Sequence, residues 1–144
     1  MGAPGVLTVV AALIQHQGKL LVGQRRRGAG YELMWEFPGG KVERGESLEQ
    51  ALVRELREEL DVSAAIGPEI LRVQHSHLKT GELMEIVFFS ARADPRGMKC
   101  LEFEQIAWRA PESLPELNFL PADRGLIEKL ASGEIALPTV DAGH

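Results

Sequence analysis

The chain has 144 residues, of which 44% are hydrophobic, and a formal net charge of −5. This length suffices for one compact domain with its own core and is too short for two. The acidic balance argues against broad binding to nucleic acid or to a membrane surface, because both need a basic face. We therefore expect a single domain over residues 1–144, without a stable nucleic-acid partner.

The cellular compartment is inferred from cysteine usage and from the apolar runs. Cys100 is the single cysteine, so it cannot form an internal disulfide. With no His or other base beside it in sequence, we interpret it as a spectator thiol. The N-terminus shows no signal-like pattern, and the longest apolar run is well short of a membrane span. These features predict a soluble, cytoplasmic protein that binds no membrane.

The chain begins with two predicted strands. Val6–Ile14 is almost continuously apolar and rich in branched side chains, which is typical of a strand covered on both faces. A turn at His16–Gly18 leads into a second strand, Lys19–Arg25. Three adjacent arginines, Arg25–Arg27, follow at its end. They form a solvated edge, or one of them directs its guanidinium to a phosphate or a base.

A loop over Gly28–Trp35 precedes a short predicted strand, Trp35–Phe37. We expect one of its two aromatic residues to lie in the core. Glu36 between them is either an exposed strand residue or a site residue, and the alternation of a strand does not decide which. The strand leads into a turn, Pro38–Gly40, where bare glycine backbone can approach a ligand closely.

The next segment predicts a helix over Leu48–Leu60. Ser47 and Gln50 have the spacing of a capping box just before an apolar-periodic run. Helical periodicity places four aliphatic residues on one core-facing stripe, namely Leu52, Val53, Leu56 and Leu60.

Three glutamates of this helix, Glu55, Glu58 and Glu59, lie side by side next to the apolar stripe. Like charges at these spacings cost a helix about 0.2–0.5 kcal/mol per pair. A solvated acidic face relieved by Arg54 is the ordinary explanation. Because the acids adjoin the core and follow a glycine-rich turn, we favour a site for a hard divalent cation. Oxygen ligands without Cys or His suit Mg²⁺ or Mn²⁺.

The segment Gly40–Val62 resembles the Nudix box, G-x5-E-x7-R-E-U-x-E-E-x-G-U, in which U is aliphatic. Eight of its nine defined positions are matched, by Gly40, Glu46, Arg54, Glu55, Leu56, Glu58, Glu59 and Val62. Asp61 replaces the last glycine of the motif, just past the helix end, where the chain usually turns left-handed. Asp tolerates that conformation at a cost near 1 kcal/mol, so we expect an intact loop.

The resemblance implies the Nudix fold, an α/β/α sandwich with a mixed β-sheet, and hydrolysis of a nucleoside diphosphate linked to another group. By the motif match, four groups would bind Mg²⁺, for which Mn²⁺ can substitute: the carboxylates of Glu55, Glu58 and Glu59 and the backbone carbonyl of Gly40. Arg54 would orient the glutamates, and Glu46 would support the loop.

The family often adds one acid from the loop before the last strand. Glu102 is our candidate for this further metal ligand, with Glu104 as the reserve. The catalytic set implied by the resemblance is Arg54, Glu55, Glu58 and Glu102. Any of these three glutamates could serve as the general base.

Two segments, WEFPGGKVERGE and FLPADRGLIEKL, are similar to the MutT-type branch of the family. That branch cleaves nucleoside triphosphates to the monophosphate and pyrophosphate and includes enzymes that clear 8-oxo-dGTP. There the position of Asp123 reads the base, often as Asn, and Arg25 matches a nucleotide-contacting arginine. A one-residue slip would give that role to Arg26. Phe37 is the remaining candidate for substrate binding.

Asp123 has an alternative interpretation as an ordinary first-turn acid favoured by the helix dipole. If it reads the base, an ionised carboxylate only accepts hydrogen bonds. It should then prefer amino or N–H edges, as on cytosine, adenine or guanine.

The second half of the chain predicts two strands, Glu69–His75 and Glu82–Ala91, joined by a hairpin turn at Leu78–Gly81. His75 and His77 share a strand-like spacing but lack a third ligand, so they give little support for a metal site. The other expected elements are a turn at Asp94–Gly97, a strand at Gln105–Trp108, a short helix or turn at Pro111–Leu117 and a helix from near Pro121 to Ser132, stopped by Gly133. We expect the tail beyond Leu137 to be mobile.

Three functions compete on this sequence. A MutT-type pyrophosphohydrolase acting on a small nucleotide is favoured by the short chain and the segment around Asp123. The second is a Nudix enzyme for ADP-ribose, a dinucleoside polyphosphate or an mRNA 5′ end. The third is a non-catalytic nucleotide-binding module, which would be expected to have lost a key acid, and none is missing. We expect a monomer or a homodimer.

Overall fold

The computed structural model describes residues 6–76 and 80–138. Within these ranges the chain forms seven strands and two α-helices: β1 Val6–His16, β2 Lys19–Gln24, β3 Trp35–Glu36, β4 Gly39–Lys41, α1 Leu48–Leu60, β5 Ala65–Ser76, β6 Leu83–Arg92, β7 Gln105–Arg109 and α2 Arg124–Ser132. Short 3-10 helices cover Pro111–Glu116 and Pro121–Asp123. His77, Leu78 and Lys79 of the predicted hairpin, and the tail from residue 139, lie outside the described residues.

The strands form one mixed sheet with the order β3-β2-β1-β6-β5, to which β4 adds by pairing with β1 and β7 by pairing with β2. β1 and β6 run parallel, in register from the pair Val6 and Leu83 to the pair Ile14 and Ala91. The remaining pairings are antiparallel. The central position of β1 explains its nearly continuous apolar sequence, since both of its faces are covered.

The core lies in two layers, one on each side of the sheet. On one side, α1 packs Leu52, Leu56 and Leu60 against alternate residues of β1 and β6. On the other side, α2 contributes Leu126, Ile127 and Leu130. This arrangement confirms the expected α/β/α sandwich. Neither α-helix in the described part of the chain is long and apolar enough to cross a membrane.

Helix α1 has the bounds that the sequence predicts. The Ser47 hydroxyl accepts from the backbone N–H of Gln50, and the Gln50 side chain accepts from the backbone N–H of Ser47, so the capping box is present. The helix ends at Asp61, which adopts the expected left-handed conformation with φ 54° and ψ 44°. Because both ends are fixed, the register of the acids along α1 is fixed as well.

The glycine-rich turn at Pro38–Gly40 was predicted wrongly in part. Gly39–Lys41 forms the strand β4, which pairs antiparallel with residues 9–11 of β1. The reason is steric: a Cβ at Gly39 would overlap the backbone of Val10 and Ala11. Glycine therefore serves close strand pairing here rather than a free turn.

Three boundaries differ from the prediction by two residues or more, and several others differ by one. His16 belongs to β1, so the first hairpin turns at Gln17–Gly18. β5 begins at Ala65 and has irregular pairing between Ile66 and Leu71, because Gly67 and Pro68 interrupt an edge strand. The last helix begins as a 3-10 turn at Pro121–Asp123 and becomes α-helical only at Arg124.

Candidate active site

A cleft of about 350 Å³ lies between the loop after β2, strand β3, helix α1 and the segment before β7. Nine residues line it: Arg25, Arg26, Ala29, Glu36, Glu55, Glu58, Glu59, Glu102 and Phe103. The cleft thus brings the predicted acids of α1 together with Glu102 and two of the three adjacent arginines. Its walls are dominated by carboxylates, and we call those of Glu55, Glu58, Glu59 and Glu102 the acid wall.

Arg54 forms ion pairs with two residues of the acid wall, Glu55 and Glu58. Its Nε lies 2.6 Å from Glu46 Oε2, and its Nη1 lies 2.8 Å from Glu55 Oε2 and 3.4 Å from Glu58. Nη2 also donates to the backbone carbonyl of Lys41. The bond to Glu46, and then the bond to Glu55 and its charge, raise the pKa of Arg54, and the bond from Arg54 lowers the pKa of Glu46. Arg54 therefore holds three glutamates in place. Helical periodicity alone would put its side chain on the face of α1 opposite the apolar stripe, in solvent.

Glu59 is the most perturbed acid of the cleft. Burial, and then the charge of Glu55, raise its pKa to about 9, with smaller contributions from Glu36 and Glu102. Its carboxylate accepts one hydrogen bond, from the backbone N–H of Gly39 at 3.0 Å. Among the described residues, no Lys or Arg is within ion-pair distance of it. A half-buried acid among other acids calls for a compensating cation or a proton.

The donor set fits a hard divalent cation. Carboxylate oxygens and the carbonyl of Gly40 are the ligands that Mg²⁺ prefers, and a Cβ at Gly40 would overlap the Glu55 carboxylate, so this acid lies directly against bare backbone. Within residues 6–76 and 80–138, no three acidic, His or Cys side chains are grouped closely enough to hold an ion as they lie. Glu55 and Glu58 instead accept hydrogen bonds from Arg54. Rotation of these side chains would be needed to complete the site.

The two acids before β7 have different surroundings. Glu102 lines the cleft and is close enough to Glu59 to raise its pKa. The carboxylate of Glu104 instead accepts from the backbone N–H of Arg27 at 3.4 Å. Glu104 is not among the residues that line the cleft. The geometry therefore favours Glu102 over Glu104 as the further acid.

The arginines at the end of β2 also separate. Arg25 Nη1 lies 3.1 Å from Glu36 Oε2, and its Nε donates to the carbonyl of Gly30. Arg26 borders the cleft, donates to the carbonyl of Leu101 at 2.6 Å and has no carboxylate partner among the described residues. The charge of Arg25 is thus compensated by Glu36. The charge of Arg26 is not compensated by any described carboxylate, so it can bind an anionic ligand. The sequence match to Arg25 did not reveal this difference.

Glu36, which the sequence left open, is a cleft residue. Burial raises its pKa, and the charge of Arg25 and its hydrogen bond partly offset this effect. Its charge also raises the pKa of Asp123. The backbone explains the proximity, since Trp35 next to Glu36 exchanges hydrogen bonds with Asn118 and Leu120, just before the turn that carries Asp123. Glu36 is thus close enough to both Glu59 and Asp123 to raise their pKa values.

Asp123 is buried, with 5% of its surface exposed. It precedes α2 but makes no side-chain cap, and among the described residues its carboxylate has no hydrogen-bond partner. Burial and, second, the charge of Glu36 raise its pKa to about 7. A raised pKa is the opposite of what a favourable helix dipole would produce. The other substrate-side candidate, Phe37, is 4% exposed and packs its ring against Phe88 and Phe119.

Residues 5–130 match the family described as NUDIX domain. The chain is 35% identical over 133 residues to the CTP pyrophosphohydrolase of Escherichia coli, covering 92% of this chain and 97% of that protein. It is 31% identical over 129 residues to the 8-oxo-dGTP diphosphatase of Haemophilus influenzae, covering 87% and 91%.

Solved structures give the same result. The solution structure of the E. coli ORF135 protein superimposes with a TM-score of 0.77 at 33% identity, covering 94% of this chain and 95% of that one. The crystal structure of a MutT NUDIX hydrolase from Burkholderia pseudomallei gives a TM-score of 0.75 at 28% identity, covering 85% and 96%. The chain therefore belongs to the Nudix hydrolase family, among its MutT-type members.

Proposed function

We propose that this single-domain enzyme hydrolyses nucleoside or deoxynucleoside triphosphates to the monophosphate and pyrophosphate, with Mg²⁺ as the cofactor. One observation carries the proposal. A cleft with a carboxylate wall and an arginine rim lies beside a separate buried acceptor, Asp123. A nucleotide has the same division, with charged phosphates at one end and a hydrogen-bonding base at the other.

At the phosphate end, the metal would be held by the carboxylates of Glu55, Glu58, Glu59 and Glu102 and by the carbonyl of Gly40. When bound, it would neutralise phosphate charge and lower the pKa of an attacking water, and Mn²⁺ would serve in the same way. Arg54 holds Glu55 and Glu58 beside this site through the bonds described above, and their carboxylates would rotate away from Arg54 to bind the metal. One of Glu55, Glu58 and Glu102 accepts the proton of the water.

Arg26 is the residue that we assign to the phosphates. Its only side-chain partner among the described residues is a neutral carbonyl, so its charge is not compensated within the protein. A guanidinium presents parallel donors that match phosphate oxygens. Arg25 has a different role in this proposal: by pairing with Glu36, it holds that carboxylate in the cleft.

At the base end, Asp123 is the discriminating group and Phe37 shapes the site through its aromatic contacts. An unpartnered buried carboxylate rejects bases that offer it no donor, because the unpaired group then costs about 1–3 kcal/mol. The names of the two relatives, a CTP pyrophosphohydrolase and an 8-oxo-dGTP diphosphatase, direct attention to cytosine and 8-oxoguanine nucleotides. We place the enzyme among free nucleotides of the cytoplasm, as a monomer or a homodimer.

The test is a panel of nucleotides with Mg²⁺, containing CTP, dCTP, dGTP, 8-oxo-dGTP, ADP-ribose and a dinucleoside polyphosphate. Pyrophosphate and orthophosphate release are scored separately. Pyrophosphate release from one or more triphosphates, dependent on Mg²⁺, is the expected result. Preferential cleavage of ADP-ribose or the dinucleoside polyphosphate would contradict the proposal, and so would the absence of hydrolysis across the panel.

A further inference from the structure

Gly23 in strand β2 allows an aromatic ring to lie directly against the backbone. A Cβ at this position would lie 2.5 Å from both Cδ1 and Cε1 of Phe103, whereas ordinary contacts of a Cβ begin near 3.4 Å. Gly23 does not have a positive φ, so its conformation does not demand glycine. The missing side chain is therefore explained by the Phe103 ring alone.

Phe103 immediately follows Glu102, the acid that completes the cleft. Its ring is 5% exposed and belongs to the core layer on the α1 side of the sheet. Adjacent Cα atoms are about 3.8 Å apart. A contact that fixes the ring of Phe103 therefore also limits where the Cα of Glu102, and with it the carboxylate, can lie.

The backbone around these two residues is held mainly at its flanks, where the Leu101 carbonyl also accepts from Arg26 at 2.6 Å. Leu101 donates to the carbonyl of Glu59 at 3.0 Å, and Glu104 donates to the carbonyl of Gln24 at 2.8 Å. Between them, within the described residues, Glu102 and Phe103 donate no backbone hydrogen bond. A thiol bond from Cys100 to the Phe103 carbonyl, at 3.3 Å, is weak. The ring of Phe103 is the main contact that fixes the middle of this segment.

We propose that Phe103, packed against Gly23, is a positioning residue that holds Glu102 beside the acids of helix α1. The proposal rests on the proposed function, in which Glu102 serves the metal. An alanine methyl at position 23 would force the ring away by about 1 Å. A displacement of that size at a catalytic group costs up to about a hundredfold in rate.

The experiment compares Gly23→Ala with Gly125→Ala, a matched control in which the new methyl meets no atom within 4 Å and the φ is ordinary. Mn²⁺ binding is measured without nucleotide by electron paramagnetic resonance, together with kcat, KM and thermal unfolding. For Gly23→Ala we expect about tenfold weaker Mn²⁺ binding and a kcat lower by about tenfold to a hundredfold, with KM nearly unchanged. The control should match the wild type in all of these except stability.

A double-mutant cycle with Glu102→Gln isolates the mechanism. If Gly23 acts through Glu102, adding Gly23→Ala to Glu102→Gln should weaken Mn²⁺ binding no further. An equal loss in both backgrounds would overturn the proposal, and so would wild-type Mn²⁺ binding in folded Gly23→Ala. Unchanged Mn²⁺ binding in Glu102→Gln alone would overturn it as well. Pyrophosphate release by the wild type would still support the proposed function in each case.

Phe103→Leu is the second variant, in case Gly23→Ala does not fold. It creates no clash and leaves the ring position partly empty, so Glu102 should lose its fixed place while the fold persists. We expect Mn²⁺ binding to weaken here also, and to be insensitive to this change when Glu102 is already Gln. Wild-type Mn²⁺ affinity in folded Phe103→Leu would contradict the positioning role.

Discussion

Glu59 and Asp123 both have raised pKa values, about 9 and about 7, but Glu59 is half-buried, Asp123 is buried, and their surroundings differ. Glu59 lies among other acids and accepts a backbone N–H. Asp123 has one acid, Glu36, near enough to raise its pKa and no hydrogen-bond partner among the described residues. Within the described ranges, Glu59 has no cation within ion-pair distance, whereas Asp123 has no hydrogen-bond donor. A divalent cation satisfies the one, and a base edge satisfies the other.

Glu59→Gln is the variant with the largest expected effect on this comparison. It removes one carboxylate ligand from the acid wall while keeping the shape of the side chain. Loss of metal-dependent stabilisation by several kcal/mol corresponds to about a thousandfold lower turnover. Turnover should be measured across Mg²⁺ concentrations, with thermal unfolding as the check on folding.

Glu49→Gln is the matched control, because Glu49 is an exposed acid in the first turn of the same helix. It should leave turnover and its Mg²⁺ dependence unchanged. Near-wild-type activity of Glu59→Gln at limiting Mg²⁺ would remove Glu59 from the metal site. It would also remove the contrast with Asp123.

Asp123→Ala tests the other region. If Asp123 reads the base, kcat/KM should fall about tenfold to a hundredfold more for the preferred nucleotide than for poor ones, since a buried hydrogen bond is lost only where it was made. The measurement is kcat/KM for each nucleotide of the panel. A uniform loss across the panel would mean that Asp123 supports structure and does not discriminate.

The sequence predicts helix α1 to the residue, because a capping box and a left-handed Asp61 mark its ends by local chemistry. Helical periodicity likewise brings Glu55, Glu58 and Glu59 to one side. By contrast, β4 could not be predicted, since Gly39 and Gly40 are typical of a turn and only the partner strand reveals their pairing. Short-range signals were sufficient where the structure is local.

The parts of the site that depend on tertiary contacts were out of reach. Arg25 and Arg26 are adjacent, so no sequence pattern reveals which one Glu36 neutralises. The burial of Asp123 depends on tertiary packing, so in sequence Asp123 cannot be distinguished from an ordinary acid at a helix start. Gly23 within a predicted strand was a signal for close packing, and its partner Phe103 could be identified only from the fold.

Asp123→Asn should change stability with pH. The folded-state pKa of about 7 exceeds the usual value near 3.8, so the folded protein holds a proton that the unfolded chain releases between these values. Asp123 therefore weakens stability progressively as pH rises from about 4 to about 7, by an amount on the order of 4 kcal/mol at alkaline pH. Thermal unfolding should show Asp123→Asn stabilised over the wild type at pH 8 and nearly equal at pH 4. Equal stability at pH 8 would show that the carboxylate is hydrated in the folded state.

Asp61→Gly has the smallest expected effect. Glycine relieves the strain of φ 54°, which is worth about 1 kcal/mol. The substitution also removes the pair between Asp61 and Lys99 at 3.4 Å, which is exposed and contributes about 0–1 kcal/mol. Denaturant unfolding should give a net change within about 1 kcal/mol of zero. A larger loss would assign Asp61 a structural role beyond this ion pair.

In the proposed mechanism, the acid wall binds the metal whereas Asp123 reads the base. The most direct test of this division is the ranking of CTP, dGTP and 8-oxo-dGTP by kcat/KM in the wild type and in Asp123→Asn. Turnover is measured as pyrophosphate release at pH 8. At that pH the wild-type carboxylate only accepts, whereas asparagine of the same shape both donates and accepts. The account predicts that the order of the three nucleotides changes while Mg²⁺ dependence and the pyrophosphate product do not. An unchanged order, or a change in Mg²⁺ dependence, would contradict it.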